Sequence, residues 1–255
     1  MGIFVTAIAI AVTAATLAGA EVTATNDAII RFDSRMFPKV LPRDGDAPVG
    51  IRIEGHVKAR NSKREPPAMT RIELAIHRAA DVSRRGLPIC EISQIDPASS
   101  KQALQACPGA QIGYGQIRAK AKLPGGSITH FTGKVTIFNG RLEEGRPAVL
   151  LHVFNPALHS SFVFPLTLSH RPGKYGTVLT ANVRVDRWTS VTDFRLILNR
   201  TYRTHGRQRG FLNASCPVPE GISVGVAPFV VATLRFADKT KKTIPVVGSC
   251  RASDR

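Results

Sequence analysis

The sequence predicts an all-β chain, an antiparallel β-sandwich of about ten or more strands with one short helix, and two patterns carry that prediction. Apolar residues alternate with polar ones at a period of two in stretch after stretch, while a helical period is almost absent. Clusters of glycine, proline, asparagine and aspartate interrupt these stretches at the spacing of an antiparallel meander, with no strand-helix-strand rhythm. A sheet with one covered and one wet face needs a second layer, which makes the strands a sandwich.

In chain order, residues 2–20 carry no charge and run through Ile3, Phe4, Val5, Ile8, Ile10, Val12 and Leu17. That is the apolar centre of a signal peptide, and Ala18, Gly19 and Ala20 form a small-x-small pattern for cleavage after Ala20. No Lys or Arg precedes Arg31, so the usual basic N-terminal region is missing. The alternative is an uncleaved membrane anchor, because the run just reaches the roughly 18 residues that span a bilayer. Residues 21–42 are expected to form a polar, flexible lead and a first strand, and residues 43–255 the sandwich body.

Within the body, residues 50–58 put Ile51, Ile53 and Val57 on one face. Residues 69–78 do the same with Ile72, Leu74 and Ile76, and residues 116–123 with Ile117, Ala119, Ala121 and Leu123. Further strands are expected over 132–138, 148–154, 161–169, 177–185, 192–200, 228–236 and 243–247. Turns are expected at Asn139 with Gly140, at 124–126, at 171–173 and at 238–242. One helix is expected over 99–106, where Asp96, Pro97 and the serines supply caps and Pro108 with Gly109 ends it.

An internal echo overlies this series. Residues 50–57, a polar turn and 72–78 (IELAIHR) share an order with 176–185, a turn and 194–200 (FRLILNR). Each is followed by a basic, glycine-containing stretch and a Cys-Pro pair, Cys107-Pro108 and Cys216-Pro217. The order suggests two related sandwich halves meeting near residues 156–175, although period-two patterning alone produces the same likeness by composition.

The four cysteines, Cys90, Cys107, Cys216 and Cys250, suit an oxidising compartment. Three connectivities are open; sequential pairing closes the shorter loops, and chain entropy assigns about 3 and about 4 kcal/mol to loops of these lengths. Zinc would need close C-x-x-C pairs or histidines at ligand spacing, and the sequence has neither, so no metal or cofactor is expected.

The formal charge is +17, from 35 Lys and Arg against 18 Asp and Glu. Such a field favours anionic partners. For an exported chain these are anionic envelope polymers or acidic polysaccharide; nucleic acid suits export poorly, and a membrane enters only if the N-terminal segment stays uncleaved. Solubility and an Arg-rich codon bias give the same charge without any ligand.

Two basic tracts could concentrate that charge. In the first, Arg118, Lys120 and Lys122 fall on the outward side of one strand at intervals of roughly 7 Å, a spacing a repeating polyanion can follow. A charged edge strand that resists aggregation has the same pattern. The second is RTYRTHGRQR, with Arg200, Arg203, Arg207 and Arg209 around Tyr202 and His205. Its guanidinium forks suit phosphate or carboxylate and its aromatic ring a sugar or base, while the plainer reading is a solvated hairpin. Asn199-Arg200-Thr201 and Asn213-Ala214-Ser215 match the glycosylation sequon.

Catalytic patterns are sparse. His56, His77, His130, His152, His159, His170 and His205 fall at no spacing that brings two onto one strand face as ligands. His152 and His159 come nearest, across a turn at Asn155 and Pro156, but no acid lies between Glu144 and Asp186 to complete a metal site. There is no G-x-S-x-G elbow, and Ser160 and Ser161 beside His159 are neighbours in sequence only. Acids are absent from 97–141 and 194–219, which leaves few carboxylate pairs for glycosidase chemistry.

The segments RGLPIC (85–90), GRPAVLLHVF (145–154), the 202–209 stretch and RGFLNASCPVP (209–219) resemble a set of basic exported proteins in genomes of high-GC Gram-positive bacteria. The resemblance runs from about residue 43 to Cys250 and includes all four cysteines. That set carries no assigned activity. It implies export, a disulfide-linked β body and a bacterial setting in which the sequons are idle.

These observations point to a non-enzymatic module at the cell envelope that associates with anionic polymer through Arg118, Lys120, Lys122 and the 200–209 hairpin. One alternative is a secreted hydrolase with His152 or His159 as base. Another is a structural or protein-partner module that offers strand 148–154 or 161–168 as an edge.

Overall fold

The computed structural model describes residues 21–24, 28–61, 67–122, 127–156, 159–183, 189–204 and 206–253. The expected signal segment, the 124–126 turn, His205 and the last two residues of the 177–185 strand lie outside them. Along the chain the first strands are β1 (Glu21–Ala24), β2 (Ala28–Phe37), β3 (Val40–Pro42), β4 (Ala47–Ala59), β5 (Met69–Ile76), β6 (Ala80–Val82) and β7 (Cys90–Glu91). Helices α1 (Ile92–Ile95) and α2 (Ser100–Ala106) follow, then β8 (Gln111–Lys122), β9 (Ile128–Arg141), β10 (Pro147–Asn155), β11 (Ser160–His170) and β12 (Thr177–Asn182). The chain ends with β13 (Thr189–Leu198), β14 (Thr201–Thr204), β15 (Arg207–Gly210), β16 (Leu212–Ala214), β17 (Val224–Phe236) and β18 (Lys241–Ser253). The fold is all-β.

Alternation becomes strand here because each apolar parity has a core to face. In β18, Ile244 and Val246 are buried while Pro245 and Val247, which alternate with them, are exposed. The expected helix forms as α2, where the Ser99 side chain accepts from the Gln102 backbone and the Gln102 side chain accepts from the Ser99 backbone. This reciprocal capping satisfies donors that a helix start otherwise strands. Gly109, at φ 75°, turns the chain away after Pro108.

One 16-stranded sheet runs in the order β1-β2-β4-β13-β8-β9-β10-β11-β12-β5-β17-β18-β3, with β16 against β4 and β6, and β7 against β9. All its ladders are antiparallel except β18 with β3 and β7 with β9. The sheet curls until β18 lies against β1 and β2, and its two sides face each other as the layers of a sandwich. Ile30, Phe32 and Val57 of β2 and β4 meet Leu234, Ile244 and Val246 of β17 and β18. Ile112, Ile137 and Val149 of β8, β9 and β10 meet Leu166, Leu168 and Leu179 of β11 and β12.

The pairing has a hidden order. Strands β2-β4-β13-β8-β9 occupy one side and β11-β12-β5-β17-β18 the other, so that β2, β4, β8 and β9 take the places of β11, β12, β17 and β18. The middle strand is exchanged: β13 sits among the early strands and β5 among the late ones. The echoed segments 50–57 and 72–78 therefore lie on opposite layers. Strand β4 pairs with β13 and β12 with β5, so each ladder joins one echoed stretch to the other.

Outside the sandwich, α1 and α2 cover β9 and β10. Phe138, Ala148 and Leu150 point outward into a second core with Ile95, Ala103 and the Cys90–Cys107 disulfide, so β9 and β10 are buried on both faces. The Cys216–Cys250 disulfide sits in a further cluster with Leu41, Val49, Ala214 and Ala252. Sequential pairing is thus the connectivity present.

Three local expectations are corrected. Asn139 and Gly140 do not turn the chain; they lie inside β9 at 0% exposure for Asn139, whose side chain accepts from Arg84 and donates to the Pro88 carbonyl. The turn comes later, at Leu142–Gly145. Glu21–Ala24 is not a loose lead but pairs with β2. Strand β8 is no edge, since β13 flanks it on one side and β9 on the other.

Candidate anion-binding surface

The first basic tract is placed as its alternation requires. Ile117 and Ala119 turn to the core, Arg118 is exposed, Lys120 is half-buried, and Lys122 is the last residue of β8. Because β8 is interior, its neighbours determine what Arg118 presents. Arg118 stands opposite Asp193 on β13, and Asp193 stands opposite His56 on β4. Asp193 accepts hydrogen bonds from His56 Nδ1 at 2.5 Å and from the Thr192 hydroxyl at 2.8 Å. Burial alone would raise its carboxyl pKa, but those bonds and the charges of His56 and Arg118 outweigh it and hold the group below the usual carboxylate range. Beside this row, Glu54 takes Arg52 at 2.6 Å and Arg195 at 2.9 Å. The outer face of β4, β13 and β8 is a mixed-charge lattice, not a row of cations.

The second tract leaves the main sheet and forms a separate two-stranded ladder. β13 and β16 lie along the same side of β4, with Leu198 opposite Ile51 and Leu212 opposite Val49. Between them the chain runs out and back as the β14–β15 hairpin. Its base is closed by the Phe211 backbone donating to the Arg200 carbonyl at 2.8 Å. The Asn213 side chain also grips both backbone groups of Gly210, at 2.9 and 2.7 Å. Gly210 is required there, because a Cβ would fall 2.3 Å from the Leu212 carbonyl oxygen. Asn213 is 1% exposed, which removes the second sequon from the surface.

Register sorts the arginines. Tyr202 opposes Arg209 and Thr204 opposes Arg207 on one face, while Arg203 opposes Gln208 on the other. Arg203 and Arg207 are exposed and Arg209 is half-buried. Tyr202 anchors its face by packing on the central core, and its hydroxyl donates to the Arg85 carbonyl. That contact brings the 83–87 loop, with exposed Arg85, alongside the hairpin. Arg84 turns inward to Asn139 and the Gly140 carbonyl, and burial lowers its pKa. Among the described residues, none of Arg200, Arg203, Arg207 and Arg209 has an acidic partner.

At the foot of the hairpin an open hollow is lined by Gln111, Gly113, Tyr114, Asn199, Arg200 and Thr201. Sequence reading missed Tyr114, Gln111 and Arg85. Tyr114 is the one aromatic of β8, yet nothing local shows that it lies next to a segment so far along the chain.

Among the described residues the histidines form no metal-binding group with one another or with Cys, Asp or Glu. His152 is fully buried beneath α2, its Nε2 donating to the Ala98 carbonyl at 2.9 Å. Burial lowers its pKa, and its Nδ1 has no hydrogen-bond partner among the described residues. His159 sits exposed in the β10–β11 turn at φ 48°. A hydrolase based on His152 would have its base sealed from substrate. No group of three His, Cys, Asp or Glu side chains among the described residues could hold a metal ion. Strand β10 is paired on both sides, and β11 carries β12 only along Thr167–His170, so the edge reading survives only for the first part of β11. No helix among the described residues is long and apolar enough to cross a membrane.

No protein-family model matches the chain, and neither a curated protein nor a solved structure matches it.

Proposed function

We propose that the chain is an exported, non-enzymatic β-sandwich protein that associates with an anionic polymer of the cell envelope through the β14–β15 hairpin. The observation that carries this reading is the contrast between the two basic tracts. Arg118 faces Asp193, whereas among the described residues Arg200 at the hairpin's base and Arg203, Arg207 and Arg209 on its ladder have no acidic partner. The two disulfides match an oxidising environment, and the charge of +17 supplies the long-range attraction. The resemblance to basic exported proteins of high-GC Gram-positive bacteria agrees with that setting.

The test is binding to a teichoic-type polymer and to an acidic polysaccharide across a salt series. Affinity should fall steeply with salt, because exposed charges are screened over about 8 Å at physiological ionic strength. Replacing Arg203, Arg207 and Arg209 by Gln should weaken binding at least about tenfold at low salt and flatten the salt dependence. Undiminished binding by that variant would remove the hairpin from the function.

A further inference from the structure

We propose that the hollow at the foot of the hairpin is a subsite for one acidic sugar ring, a uronate unit of a polysaccharide whose remaining charges the hairpin holds. The proposal rests on the reading above and names its ligand class. The floor of the hollow is built where β8 begins. A register shift between Gln111 and Gly113 resets the strand, and Tyr114 then stands on the outer face between Ile197 of β13 and Thr136 of β9. Gly113 lets the two backbones close up, since a Cβ there would fall 2.3 Å from the Ile197 carbonyl oxygen. The result is an aromatic ring that remains 48% exposed although strands flank it on both sides.

The rim supplies what such a ring lacks. Asn199 and Gln111 contribute side-chain amides and Thr201 a hydroxyl; Gln111 is steadied by donating to the Gly113 carbonyl at 3.3 Å. Arg200 contributes the charge, and its Nε is shielded from solvent with no hydrogen-bond partner among the described residues. An apolar platform, neutral donors and acceptors, and a planar cationic fork together fit a pyranose carrying a carboxylate. The C–H face of the sugar covers Tyr114, its hydroxyls meet the amides, and its carboxylate meets Arg200. A polyphosphate satisfies only the last of these.

The test uses the full-length oxidised protein with two ligands of matched charge, an oligogalacturonate and a linear polyphosphate, titrated calorimetrically at low salt. Tyr114→Ala should lower affinity for the oligogalacturonate about tenfold and leave polyphosphate within about twofold, while Tyr114→Phe, which keeps the ring, should bind both as the parent does. Sugar C–H protons should shift upfield in NMR spectra of the parent protein as the ring covers them, a readout that needs no variant to fold. If Tyr114→Ala affects both ligands equally, or the sugar protons do not move, the subsite is wrong and the hairpin reading stands. If the Arg203, Arg207 and Arg209 variant binds both ligands undiminished while Tyr114→Ala weakens the sugar, the hairpin reading falls and the hollow remains. Failure of the parent protein to bind either ligand overturns both.

Discussion

The Tyr202 hydroxyl donates to the Arg85 carbonyl at 3.0 Å, joining residues 117 positions apart in the chain. Hairpin and loop are thereby one surface, although the hairpin ladder itself has only four residue pairs. Tyr202→Phe keeps the ring in the core and removes the bond, at a cost of about 1 kcal/mol. Amide exchange at 201–210 should quicken while exchange in β9 and β10 does not. Unchanged rates in the hairpin would mean that its own ladder suffices.

Opposed charges on the sheet predict an asymmetry between two single substitutions. Arg118→Gln should leave polyanion affinity within about twofold, because its charge already faces Asp193. Asp193→Asn removes the acid from between Arg118 and His56 and should raise affinity, more so at low salt. A large loss with Arg118→Gln would restore β8 as a binding strand.

Acid should destabilise the protein in two separate windows. Burial lowers the pKa of His152, and burial with Lys174 and Arg78 nearby lowers that of His77, each from an ordinary 6.5. Below that value the unfolded chain binds protons that the folded one does not, so stability falls as pH drops through the unfolded pKa toward the lower folded ones. Asp193 has the opposite starting point. Its depressed pKa contributes stability that is complete above the ordinary carboxylate value and is lost as pH falls through its own lower one. Urea midpoints from pH 7.5 to 5 should decline, and His152→Asn should flatten the slope. An unchanged slope in that variant would show that His152 does not titrate with unfolding.

Removing the disulfides should separate their roles. Replacing Cys216 and Cys250 by Ser, which opens a separation of 34 residues, should cost about 4 kcal/mol; the Cys90 and Cys107 pair, separated by 17, should cost about 3. The second loss should be partly local, freeing α1 and α2 from β9 and β10 and speeding exchange at Phe138 and Leu150. Equal global destabilisation without that local signature would mean that the helical cap is held by packing alone.

The alternating stretches were legible because period two states which residues face a core, and each expected strand over the described residues is present. Partners were not legible, since alternation carries no address. β8 has the pattern of a charged edge, and only β13, about 70 positions later, makes it interior. Asn139-Gly140 has the chemistry of a hairpin turn, but Arg84 and the Pro88 carbonyl absorb the asparagine, and Leu150 occupies the space a Cβ on Gly140 would need. The basic hairpin was readable from its own arginines. The hollow beside it was not, because Tyr114 and Arg200 are joined only by the register of β8 on β13.

The exchange of β5 and β13 also sets the order in which the molecule can exist. A chain emerging from its N-terminus has β2, β4, β8 and β9 by Arg141, yet β4 and β8 have no strand between them until Leu198 arrives. The late strands cannot close without β5, which must wait unpaired for β12 and β17. Neither run of strands, early or late, is continuous without a strand supplied by the other stretch of chain.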